Sequence, residues 1–212
     1  MRTSHRAVLA ASLAATLVAA GACANPATGK PEASVAAPVA VEPPAAAAAG
    51  TVHAIDPSSK IDFVGSKVTG SHDGGFTEFE GEIVLVDRDP QKSRVSVAID
   101  TTSLWADHPK LTEHLKSADF FDVASYPRAE FDSTSIVAGE GGFTITGNLR
   151  LHGVERSISF PAGIEVTEEG VRTTAEFSIQ RFDFGIVYKG KADDLIRDEV
   201  LIRLDLRAPA PA

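Results

Sequence analysis

This chain has one cysteine, one tryptophan, one methionine and two tyrosines in 212 residues. The single cysteine, Cys23, excludes an intrachain disulfide, so any stable domain after it relies on its apolar core. Basic residues are outnumbered, and the formal net charge is -9. An acidic surface repels phosphate backbones and anionic membranes, which argues against nucleic-acid binding and against electrostatic adhesion to lipid. Long apolar runs are scarce too. Ala7 to Ala20 is the main uncharged stretch, and it is short for a membrane-spanning helix, which needs about 20 residues. The six histidines (His5, His53, His72, His108, His114, His152) show no His-Glu-x-x-His or paired strand spacing and no companion thiol in the domain. No metal site is expected. Gly-x-Ser-x-Gly is missing, and the glycine patch at 139–142 precedes no helix, so neither a hydrolase elbow nor a phosphate loop is indicated. The acidic pairs Asp193-Asp194 and Glu168-Glu169 fall in polar turns. The sequence points away from an enzyme, and no cofactor is expected.

What the chain does have begins with an address. Arg2, His5 and Arg6 precede the apolar run, and the small residues Ala20-Gly21-Ala22 precede Cys23. This order reads as a secretory signal over residues 1–22. The small residues followed by cysteine resemble a bacterial lipobox, in which Cys23 would be acylated. An ordinary signal peptide with an incidental cysteine is the alternative. Residues 23–50 are rich in alanine and proline without an apolar period, and they read as a disordered, extended tether.

From residue 51 to 208 the period is two. Ile61 and Phe63 share a face. Phe79, Ile83 and Leu85 oppose Glu78, Glu80 and Glu82. Val95, Val97 and Ile99 follow, then Phe143, Ile145, Leu149 and Leu151. Val171, Ala175, Phe177 and Ile179 form the next set, and Val200, Ile202, Leu204 and Leu206 the last. Such alternation predicts strands with one wet face. Asp73-Gly74-Gly75, 87–90, 139–142 and 168–170 read as turns between them. Only 109–118 has helical spacing, with Asp107 placed to cap it. Roughly eight strands and one helix predict an all-β domain, an antiparallel sheet that closes on itself. A barrel of this size is either filled by side chains or holds one ligand.

Four stretches carry a family resemblance: Ile55 to Phe63, His114 to Ile136, Gly147 to Val154, and Arg181-Phe182-Asp183-Phe184-Gly185-Ile186. In this order they resemble the YceI-like family of lipocalin-like, lipid- and polyisoprenoid-binding envelope proteins. The resemblance implies an eight-stranded antiparallel lipocalin-like barrel with one short helix beside its opening. It also implies an apolar interior that holds an isoprenoid, quinone or fatty-acid derivative for storage or transport. Relatives often pair, which keeps a homodimer open. With Cys23 acylated, the protein would sit in the cell envelope facing the periplasm, with the outer membrane favoured.

The candidate ligand-lining residues are Phe63, Phe79, Trp105, Leu111, His114, Leu115, Phe120, Phe121, Phe131, Phe143, Phe177 and Phe184. For the phenylalanines the competing reading is plain core, and the competing function is a structural or stress-response barrel with a filled interior. His114 could turn a polar tip toward a ligand head or simply lie on the helix surface. Phe120 and Phe121 are adjacent, so an extended corner would send them to opposite sides, one anchoring and one lining.

Overall fold

The computed structural model describes residues 25–40 and 50–211. The expected signal segment and Cys23 lie outside the described residues. Alternating apolar residues form β3 (Lys60–Lys67), β4 (Gly70–Phe76), β5 (Phe79–Val86) and β6 (Asp89–Asp100), with the short strands β1 (Ser34–Ala36) and β2 (Thr51–Ala54) before them. The short β7 (Leu104–Ala106) leads into α1 (Pro109–Lys116). The second half is a meander of β8 (Arg128–Gly139), β9 (Gly142–Leu151), β10 (Val154–Val166) and β11 (Gly170–Gln180). A small hairpin of β12 (Gly190–Lys191) and β13 (Asp194–Leu195) precedes the closing strand β14 (Glu199–Pro209).

Every pairing among the named strands is antiparallel. The order β5-β6-β8-β9-β10-β11-β14-β3-β4 returns on itself, because only Thr77 and Glu78 separate β4 from β5. One bent strand thus pairs with β3 through its first half and with β6 through its second. Counting it once gives a ring of eight, β3, β4–β5, β6, β8, β9, β10, β11 and β14, as the alternation predicts. Closure of this kind removes the exposed edges of an open sheet.

The sequence reading of Asp73-Gly74-Gly75 as a turn is corrected: these residues are strand interior in β4. Glycine is there for space. A Cβ on Gly74 would stand 2.5 Å from the Phe63 ring. Gly147 serves the Phe131 ring across β8 and β9 in the same way, with a contact of 2.4 Å. Both gaps let a phenylalanine lie against backbone.

The tether reading is corrected for residues 25–40. Strand β10 pairs with β11 only through Gly163–Val166. Beyond that point the two strands part, and β1 occupies the gap. Ser34, Val35 and Ala36 pair with Ser159, Ile158 and Ser157 of β10. On the other side the Ala33 N–H donates to the Ser178 carbonyl of β11 at 2.8 Å, and the Ser178 N–H donates to the Pro31 carbonyl at 2.9 Å. Ala33, 5% exposed, and Val35 join the core. A preceding turn lies on the outer face, where Asn25 hydrogen-bonds to Glu199 and Lys30 pairs with Glu176. A three-residue strand between prolines is too short to show a period, which is why composition alone suggests a free linker.

On the outer wall, Arg172 donates to both oxygens of Asp205 at 2.8 and 3.1 Å, and Arg207 adds a third hydrogen bond at 3.1 Å. The hydrogen bonds from Arg172, offset in part by burial and reinforced by Arg207, hold the Asp205 carboxyl down to about 2. A carboxyl depressed on folding adds stability above its unfolded value, and that stability is lost as pH falls from about 4 to about 2. For this partly solvated group, Asp205→Asn should cost about 1 kcal/mol at neutral pH and flatten that acid limb. Urea titrations at pH 7 and pH 3 check it: an equal loss at both pH values contradicts the assignment.

Candidate functional site

The ring does not close on a solid interior. A cavity of about 370 Å³ runs along its axis, within the range of small-molecule sites. Its wall includes Ile61 and Leu206 at one end and Ser66, His72 and Arg197 at the other. Ile61 to Ser66 alone spans roughly 17 Å of strand at about 3.3 Å per residue. The lining is apolar over most of this length, and an elongated apolar space suits a chain rather than a compact polar metabolite.

Of the residues singled out in the sequence, Phe63, Leu111, Leu115, Phe120, Phe121, Phe131 and Phe177 border the cavity. Five others do not. Trp105 points outward because its neighbours on β7, Leu104 and Ala106, point inward, and it is 37% exposed. Phe79 packs against the core at the bend after β4. Phe143 borders a separate surface groove at the β8–β9 hairpin end. Phe184 is fully buried in the short 3-10 turn after β11. His114 lies on the helix surface, where its Nε2 meets Asp119 at 2.9 Å.

The corner after the helix is also corrected. Phe120 N–H donates to Ser117 and Phe121 N–H to Leu115, so both residues stay in turn geometry. Their side chains therefore do not oppose each other, and both reach the cavity. They differ in company. Phe120 packs with His114 and Tyr188 at ring separations of 5.0 and 5.1 Å. Phe121 joins Phe63 and Phe76 at 6.1 and 5.8 Å. The cap of α1 differs as well: the His108 ring accepts from Lys110 N–H, whereas Asp107 holds His72 and the Asp73 N–H. The helix entry is thereby fastened to β4 at the cavity mouth.

Other lining residues were missed. Phe76 directly follows Asp73-Gly74-Gly75, the stretch that reads as a turn, and ends β4. Phe160 stacks on Phe177 at 4.1 Å with ring planes 10° apart. The alternation of Ile158, Phe160 and Ala162, all buried, was the available signal.

The mouth is braced by Arg181. This residue is buried, and its guanidinium donates to the carbonyls of Arg197, Ile186 and Ile196. Burial pushes it below the usual arginine range, an effect that the nearby Asp198 opposes. Lys67 closes on Asp194, and the hydrogen bond from Lys67 lowers the Asp194 carboxyl. On three residues of the cavity wall a buried polar atom remains without a hydrogen-bond partner among the described residues: Ser66 Oγ, Thr173 Oγ1 and Arg197 Nε. An unpaired buried polar atom costs about 1–3 kcal/mol.

An antiparallel barrel around an elongated apolar cavity, with a helix at its mouth, defines a lipocalin-like class. The match to the YceI-like domain over residues 53–208 makes the chain a member of that family. A UPF0312 protein of Pseudomonas putida (strain W619) is 41% identical over 90 residues, covering 42% of this chain and 47% of that one. Protein YceI of Escherichia coli O17:K52:H18 is 38% identical over 89 residues, with the same coverage of 42% and 47%. The chain spans about half the length of the curated relatives it matches. Among solved structures, BcnA of Burkholderia cenocepacia has a TM-score of 0.64 at 21% identity, covering 73% of this chain and 99% of that one. A polyisoprenoid binding domain from Saccharophagus degradans has a TM-score of 0.61 at 17% identity, covering 76% and 99%. At these identities the likeness is one of fold.

Proposed function

We propose that this protein binds a long-chain amphipathic lipid, such as a polyisoprenoid, a quinone or a fatty-acid derivative, and holds its chain in the barrel for storage or transport. The cavity carries the reading. Side chains that would fill a purely structural barrel stand around about 370 Å³ of unfilled, apolar space. Each methylene moved from water into it contributes about 0.8 kcal/mol. The solved polyisoprenoid binding domain with the same fold supports a chain-like occupant. The role is binding rather than catalysis.

The envelope location belongs to the same reading. Its support is the basic start, the apolar run and the lone Cys23 after small residues. An acyl anchor at Cys23 would stand two residues before Asn25, which hydrogen-bonds to Glu199 of the barrel. The barrel would then ride close to the membrane surface instead of on a long leash.

Native mass spectrometry of the purified protein, followed by solvent extraction, tests lipid binding. Wild type should carry a long-chain species that Ala129→Phe loses. Ala129 is 2% exposed and borders the cavity, so the new ring would occupy the chain's space. Equal lipid content in a folded Ala129→Phe protein would count against this cavity as the binding site.

A further inference from the structure

The buried, unpartnered polar atoms on residues of the cavity wall are not scattered evenly. Thr173 Oγ1 stands apart, on a residue in register with Leu206. Ser66 and Arg197 are neighbours, since the Arg197 backbone N–H donates to the Ser66 carbonyl at 2.9 Å. Ser66 is 5% exposed, and its hydroxyl has no partner among the described residues. Arg197 Nε is buried in the same condition. The other polar groups at this end are committed: Lys67 to Asp194, Arg181 to backbone carbonyls, and the His72 ring to Asp107. Arg197 is the lining cation left with an unspent donor.

We propose that Ser66 and Arg197 form a head-group subsite for an anionic oxygen, the carboxylate or phosphate of a single-chain lipid. This rests on the lipid-binding reading and narrows it. A guanidinium only donates, so its partner must be an acceptor. A cation facing an apolar cavity is best compensated by an opposite charge. The planar arginine fork suits the oxygens of carboxylate and phosphate, and a serine hydroxyl adds a donor to the same oxygen set. With the head held here, the apolar chain runs inward past Phe76 and Phe121 toward Ile145. The protein's own charge of -9 gives no long-range attraction for such a ligand. Selection is therefore local, made after the chain has entered.

The test is calorimetric titration of the full-length protein, stripped of bound lipid, with dodecanol, dodecanoate and dodecyl phosphate below their micelle concentrations. Wild type should bind at least one of the two anions about tenfold more tightly than the alcohol. Whichever anion binds more tightly identifies the source of the charge. Arg197→Met should abolish this preference, and Ser66→Ala should reduce it about threefold. Equal affinity for all three probes in wild type overturns the subsite, as does a preference retained in Arg197→Met. If Arg197→Met does not fold, Ser66→Ala decides: an undiminished preference there also overturns it. If not even dodecanol binds wild type, the lipid-binding reading itself falls and the subsite with it.

Discussion

A chain beginning at Gly50 should be less stable than one that retains residues 25–40 by about 3–5 kcal/mol, with a melting temperature roughly 10 °C lower. The loss has three sources. Ala33 and Val35 leave the apolar core, and Ala27, 6% exposed, loses its burial. The backbone bonds of β1 to β10 and of residues 31–33 to Ser178 disappear. The contacts of Asn25 with Glu199, Lys30 with Glu176 and Val39 with Asn148 go as well. What remains is a barrel with a slit, because β10 and β11 face each other unpaired past Gly163 and Thr174. Exposed strand edges invite pairing between molecules, so the shortened protein should also aggregate on heating. Circular dichroism melts of the two chains, with light scattering, provide the measurement. A melting temperature within about 2 °C would show that the segment only rests on the wall.

The second large effect is expected at the corner after α1. Phe120→Ala should destabilise the protein by about 3–5 kcal/mol. Its ring is 6% exposed and holds the helix and the loop at Tyr188 together, through contacts with His114 and Tyr188. Phe121→Ala should cost less, about 2 kcal/mol, because that ring already borders open space and its loss enlarges a cavity that a ligand can fill. The order should reverse for lipid. Phe121, with Phe63 and Phe76, forms the wall along which a chain would lie. Its removal should lower the amount of copurified lipid more than removal of Phe120 in the fraction that folds. Chemical denaturation and lipid extraction of both variants decide the matter. Equal stability losses with unchanged lipid would mark the pair as ordinary core.

The strands that alternate cleanly were legible because a half-buried sheet imposes its period on the sequence. Ile61 with Phe63, and Val95 with Val97 and Ile99, lie in the ring where their spacing puts them, and all five border the cavity. The candidate site was legible in part. Aromatic residues mark inward positions, but they do not say which inward positions touch packed atoms and which touch empty space. Phe177 and Phe184 look alike in sequence, yet one borders the cavity and the other is sealed in the turn beside it. Glycine misled for a physical reason. Gly74 and Gly75 suggest a turn, but they are strand residues cut back to admit the rings of Phe63 and Trp105. The Arg-x-Asp-Phe-Gly stretch was visible as a motif, but its use was not. Arg181 stitches three carbonyls of the mouth, and Gly185 ends the turn at a φ of 76°. Ser66 and Arg197 had no sequence signal, since their meeting depends on how the loop after β11 folds back over the β3–β4 hairpin.

The strand that closes the seam also sets an order of events. Asn25 and Glu199 are separated by 174 positions, and Glu32 and Gln180 by 148. During synthesis the first partner waits while nearly the whole barrel is made. Contacts so distant along the chain form late, after the loop-closure entropy has been met by the meander of β8 to β11. Late contacts leave the folding rate almost untouched and act on the rate of unfolding. If those contacts form last, the first described residues act as a latch on the barrel, setting how long it stays shut rather than how fast it forms.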